Sequence, residues 1–320
     1  MKKILALFFF ILVAIFLPSI LPFTVKKAIF DQLTKNIPGA FTVSQIDFNW
    51  FSKTTFGDVT WEYKNTRVKF LKVDINASLS KIFLEKVIPV NCCSGTIYYK
   101  DKILFDHVKA EPSIRYKDKK LTIAQDCTIT TAVVEEGVEA FTNHALIPPF
   151  SSPLVSLHLC SFEINSSSKH SLKMEGDLRL GTLKCAQNHL LTTVLSLLRE
   201  KPTTYTTIEC GIMPFIVQNG VVSFDRTHFL VDKAFEMISL GTVNLMSDAL
   251  NIHVGLTTSS LIRAFDLTFL PPGYMVPFKI EGTTHKPEIQ VKEALKTIAA
   301  LILLEKIAPQ NRIYPKTQAF

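Results

Sequence analysis

His158 and Cys160 stand two residues apart in an apolar run, so on a strand they would share one face and could hold a metal ion between them. The pattern is weak alone, because a histidine satisfied by its strand neighbours is far commoner. The eight histidines never recur at i, i+4, and there is no H-E-x-x-H to seat zinc on a helix. Glu135 and Glu136 are adjacent carboxylates in a Gly- and Pro-containing stretch, where a solvated charge pair is the default. The chain has no G-x-S-x-G elbow, no P-loop and no G-x-G-x-x-G. Asn76-Ala-Ser and Asn165-Ser-Ser spell N-glycosylation sites, which matter only in a eukaryotic secretory setting. The chain reads as a non-enzyme with no catalytic residue, no metal and no cofactor. An enzyme whose constellation is assembled across the fold is a competing class.

Six cysteines occur at Cys92, Cys93, Cys127, Cys160, Cys185 and Cys210, and their spacing fits no zinc or redox motif. In an oxidising compartment some of them pair, in a connectivity the sequence does not choose. The alternative is that several are small buried hydrophobes.

These side chains need elements to position them, and the first element is apolar. Ile4 to Phe23 reads I-L-A-L-F-F-F-I-L-V-A-I-F-L-P-S-I-L-P-F, without a charge. About twenty helical residues span roughly 30 Å, the thickness of a hydrocarbon core. A cleaved signal peptide is the competing reading, since Lys2 and Lys3 would serve as its basic region. Against it, the run is long and no small-x-small site follows. An uncleaved anchor over 1–23 is therefore expected. Lys2 and Lys3 favour a cytoplasmic N-terminus, a bias that Lys26 and Lys27 weaken.

The 320 residues are 47% hydrophobic, include 24 Phe and carry a net charge of +7, so one or two domains with an ample core follow the anchor. Lys and Arg are scattered rather than clustered, which excludes a nucleic-acid partner. A mild cationic excess beside a membrane suits anionic headgroups, at about 1 kcal/mol per residue near the surface.

Thr24 can cap a short helix to about Asn36, ended by Pro38-Gly39. From Phe41 the period changes to two. Ile46, Phe48 and Trp50, then Val59, Trp61 and Tyr63, mark half-buried strands. The apolar parity slips at Phe70-Leu71, as a β-bulge would produce. One or two helical turns are expected over 80–87. Hairpins turn at Lys100-Asp101-Lys102 and at Asp118-Lys119-Lys120. The stretch 135–153, with Gly137, Pro148, Pro149 and Pro153, is the expected linker between β-rich regions 24–134 and 154–291.

In the second region a turn is expected at Asn165–His170. Leu172, Met174, Leu178 and Leu180 then share one strand face with Gly176. Ala186 to Glu200 reads as an amphipathic helix, and a short helix around Ser259 to Phe265 is followed by a Pro271-Pro272-Gly273 turn. A helix over 292–308, too short to span a bilayer, and a loose tail close the chain.

The C-terminal third carries Gly220-Val-Val-Ser-Phe-Asp, Leu240-Gly-Thr-Val-Asn-Leu, Val276-Pro-Phe-Lys-Ile-Glu-Gly282 and Lys286-Pro-Glu-Ile before an apolar helix. The order resembles the C-terminal region of AsmA-like envelope proteins. The N-terminus is similar too: an anchor, a short helix ending in Pro-Gly, and a strand into Trp50-Phe51. The resemblance covers both ends of the chain, and the middle is shorter than in typical members. It implies an inner-membrane anchor, a β-groove in the periplasm, and phospholipid transport or outer-membrane maintenance without catalytic residues.

The expected fold is mainly β (α+β): a transmembrane helix, an elongated and mostly antiparallel curved sheet or groove, and a few short helices. About a dozen short strands with few crossover helices require antiparallel pairing. Their apolar faces are filled either by other elements or by acyl chains. Each buried CH₂ is worth about 0.8 kcal/mol, so a sixteen-carbon chain could gain about 13 kcal/mol. The expected groove lining is Leu172, Met174, Leu178, Leu180, Leu250, Ile252, Val254, Leu256, Phe278 and Ile280. The expected function is lipid binding or transfer in envelope biogenesis. The alternative is an assembly factor that contacts envelope proteins through exposed strand edges.

Overall fold

Alternation at period two and short two-residue turns give hairpins, and the computed structural model is built from them. It describes residues 22–34, 39–48, 53–77, 87–117, 120–141, 148–165, 172–201 and 203–307. The expected anchor up to Leu21, the strand end at Trp50-Phe51, most of the helical turn at 80–87, the Asn165–His170 turn beyond its first residue, and the tail lie outside them. Among the described residues no helix is long and apolar enough to cross a membrane. Two compact units divide the chain: Met1–Gly137 with His158–Lys169, and Val138–Leu157 with His170–Phe320.

In the first unit, helix α1 (Phe23–Thr34) sets Phe30 against Phe41 and Phe56, with Val43 and Ile46 in the same cluster. Strands β1 (Ala40–Thr42) and β2 (Gln45–Asp47) both pair with β3 (Thr54–Tyr63). Strands β4 (Thr66–Ile75), β5 (Val87–Tyr99) and β6 (Lys102–Ala110) continue the antiparallel meander. Lys100 and Asp101 both adopt left-handed φ, 48° and 63°, so the expected hairpin closes through a two-residue turn whose twist matches its strands. Strands β7 (Ser113–Lys117) and β8 (Lys120–Ile123) form the next hairpin, and β9 (Cys127–Val133) returns to β6. The end of β10 (Phe150–Asn165) pairs with β8, Glu163 opposite Thr122.

The parity slip at Phe70-Leu71 has a structural counterpart, but β4 keeps its register on both sides of it. The irregularity sits on the neighbours opposite Leu71, where Asp58 and Ser94 take φ of 47° and 54°. The first unit thus places on the two flanking strands, β3 and β5, the kink expected within β4.

The expected linker over 135–153 is regular structure at both ends. Glu135–Phe141 is a helix, α2, and β10 already begins at Phe150. The two glutamates sit in its first turn, where the helix dipole favours negative charge. A Cβ on Gly137 would meet Ile103 O at 2.2 Å, so only glycine lets this helix start lie against β6.

In the second unit, β11 (Lys173–Ala186), β12 (Tyr205–Gln218), β13 (Val221–Val231), β14 (Phe235–Asn244), β15 (Ala249–Thr257), β16 (Met275–Thr283) and β17 (Pro287–Gln290) follow one another as a meander. Helices α3 (His189–Leu197), α4 (Thr258–Phe265) and α5 (Lys292–Ile307) fall close to the sequence expectation. Asn188 caps α3 by accepting the Leu191 N–H at 2.9 Å. The β11 alternation resets at Gly181, whose φ is +63°: Met174, Gly176, Leu178 and Leu180 face inward before it, Leu183 and Cys185 after it.

No disulfide joins any of the six cysteines. Cys127 and Cys185 are buried, Cys92, Cys93 and Cys210 half-buried, and Cys160 exposed. Burial is the main cause that pushes Cys92 up to about 11 and Cys210 up to about 12, with Cys93 and Cys185 adding to it. The buried-hydrophobe alternative describes Cys127 and Cys185, and Cys92 and Cys210 approach it. With iodoacetamide at pH 8, Cys160 is expected to alkylate first by peptide mass spectrometry. Cys92 and Cys210 are held as thiols there and should react only as pH climbs toward those values. Rapid labelling of Cys210 at neutral pH would contradict this packing.

Candidate functional site

Six of the ten expected groove residues are core. Leu250, Val254, Leu256, Phe278 and Ile280 are buried, Leu256 completely, and Ile252 packs against them. Val254 lies opposite Phe278 and Ile252 opposite Ile280 on β15 and β16. Their cluster is completed by Leu195 and Leu198 at α3, Leu261 of α4, and Ala294, Ile298 and Leu301 of α5. The chain's own leucines occupy the space assigned to acyl chains. The reason is physical: each amphipathic helix has an apolar stripe that must be buried, and this face is where it goes. Strand alternation marks an inner face without saying which layer covers it.

The other four residues are placed differently. Leu172 precedes β11, and it is half-buried like Met174, Leu178 and Leu180. Leu180 packs with Leu183, Cys185 and Leu191. None of the four belongs to the helix-covered cluster.

The second unit also carries a cleft that sequence reasoning did not identify. Its volume is about 660 Å³, and its walls include Ile238, Ile262, Leu270, Pro272, Tyr274 and Met275. Arg226, His228 and Glu236 line it as well. Small-ligand pockets generally span about 300–1,000 Å³ and combine apolar walls with a few convergent polar groups. The Pro271–Tyr274 turn, closed by the Tyr274 N–H to Pro271 O at 3.2 Å, forms one wall. Thr258 Oγ1 ties this turn to the start of α4, donating to Pro271 O at 2.8 Å and Tyr274 O at 3.0 Å. Burial holds the Tyr274 hydroxyl above its ordinary range.

Glu236 organises the polar end. Its Oε1 lies 3.1 Å from His228 Nδ1, across the diagonal of β13 and β14. Ser259 Oγ donates to Oε2 at 3.1 Å, and Thr257 Oγ1 and Ser260 Oγ donate to the Glu236 carbonyl at 3.0 and 2.6 Å. A second cleft, about 500 Å³, meets the first at His228, Glu236 and Ser259.

The order of these groups decides what they can do. In a nucleophilic triad the imidazole stands between hydroxyl and carboxylate, so that it can take the hydroxyl proton. Here the carboxylate stands between imidazole and hydroxyl. Ser259 therefore donates to an acceptor that is a weak base and holds Glu236 in place. The arrangement fixes a charged rim on an apolar cleft. Residues 226, 228, 236 and 257–260 come from three strands and a helix start, and the run Thr257-Thr258-Ser259-Ser260 was the one local signal for it.

No family model, no curated protein and no solved structure matches this chain.

Proposed function

We propose that this chain is a membrane-anchored, non-enzymatic lipid-binding protein that takes an acyl chain into the cleft beside α4. The observation that carries the reading is the union of apolar walls with a charged rim in one cavity of about 660 Å³. A hydrocarbon tail suits Ile238, Ile262 and Leu270, and an anionic headgroup suits Arg226 and His228. The uncharged run Ile4–Phe23 supports tethering to the inner membrane, N-terminus cytoplasmic. Following the AsmA-like resemblance, the bulk of the chain stands in the periplasm and serves envelope biogenesis with phospholipid as its partner.

The test is mass spectrometry of lipids released from full-length protein purified in detergent. Wild type is expected to carry phospholipid in constant proportion, and Ile262→Glu to lose at least tenfold of it with an unchanged thermal midpoint. Leu178→Asp serves as the second arm. Lipid retained there assigns binding to the cleft; lipid lost there but kept in Ile262→Glu moves the site to the half-buried face of β11. Wild type without lipid overturns the reading.

The assembly-factor alternative has one observation of its own. Leu295, Leu303, Leu304 and Ile307 of α5 are exposed, Ile307 at 77%. An empty protein that co-purifies with a tight envelope partner, released by Leu303→Glu, would establish that reading instead.

A further inference from the structure

The geometry points to a divalent metal site of the zinc class on the first unit, formed by Asp126, His158 and Cys160. One ligand atom from each residue lies within 4.8 Å of the other two. His158 and Cys160 alternate on one face of β10, which sets them side by side without any long-range adjustment. Asp126 directly precedes β9, a neighbour of β10 in the sheet. Two of the three residues thus come from one strand, and the third from the position that leads into its neighbour.

The distances suit coordination. Tetrahedral zinc bonds thiolate at about 2.3 Å and imidazole or carboxylate at about 2.0–2.2 Å, which puts ligand atoms about 3.5 Å apart. Cys160 Sγ and His158 Nδ1 already stand 3.7 Å apart. The Asp126 carboxylate is an exposed side chain that closes the remaining gap by rotation about its own bonds. One oxygen, one nitrogen and one sulfur suit a borderline-soft cation such as zinc over magnesium or calcium, which prefer oxygen alone. Three protein ligands leave a fourth position for water. Coordination releases the thiol proton to solvent, so affinity rises with pH. The consequence for the fold is a clamp between the entry to β9 and the middle of β10.

The test uses full-length protein in detergent, stripped with chelator and titrated with Co²⁺, then with competing Zn²⁺. A sulfur-to-cobalt charge-transfer band at one equivalent, removed by Zn²⁺, is expected. His158→Gln and Cys160→Ser should each weaken binding at least tenfold, and Asp126→Asn several-fold. Zn²⁺ should raise the thermal midpoint of wild type and leave that of Cys160→Ser unmoved. Cys160 is exposed, so the metal-free variant should melt like metal-free wild type. A band that survives in Cys160→Ser but disappears in Cys92→Ser/Cys93→Ser would assign the metal to the adjacent pair and overturn the proposal. No band in wild type overturns it as well.

Discussion

Leu256→Ala is expected to lower stability by about 3–5 kcal/mol, the upper part of the range for a fully buried leucine cut to alanine. For a unit of this size that corresponds to a thermal midpoint lower by roughly 6–20 °C. The side chain has no exposure and sits among Val276, Leu261 and the other leucines of the helix-covered cluster. None of those neighbours is a surface group free to collapse into the hole. Leu71→Ala is the matched control: Leu71 is 65% exposed, and its loss should change stability by no more than about 0.5 kcal/mol. Differential scanning fluorimetry on both variants reads the contrast. A Leu256→Ala protein as stable as wild type would mean that β15 faces something other than the chain's own core.

Gly241→Ala should cost about 3 kcal/mol or more, at the top of the usual range for overpacking. An added Cβ would stand 2.3 Å from Asn251 O and 2.7 Å from Ile252 Cα. Both are backbone atoms of the paired strand β15, so no rotamer change relieves the contact and the strands must separate. Gly241 lies opposite both Phe224 and Ile252, in the middle of the meander. Loss of amide protection on β14 and β15 by hydrogen exchange is the expected signature. Gly273→Ala, in open space at φ +81°, should cost only about 1 kcal/mol.

Local pattern and local chemistry were legible in the chain. Lys292–Ile307 was visible as a helix because its apolar residues recur on one stripe, and Lys100-Asp101 was visible as a turn because it separates two alternating runs. Periodicity marks a face and leaves its covering layer open, so the pattern that suits Val254 and Phe278 to a lipid suits them equally to the helix-covered cluster in which they lie. Glu135-Glu136 reads as loop charge along the chain because Pro148, Pro149 and Pro153 downstream outweigh a helix start only seven residues long. The Glu236 cluster could not be seen at all. Its members are eight and twenty-three positions apart, and only the β13–β14 register and the start of α4 bring His228 and Ser259 to one carboxylate.

The first unit owns a piece, His158–Lys169, that is threaded into the run of the second. No single cut of the polypeptide therefore separates the two cleanly: the fragment that holds the whole first unit, 1–169, also carries off 138–157 of the second. A protease nick between 148 and 157 divides both units between the two fragments, which should stay associated.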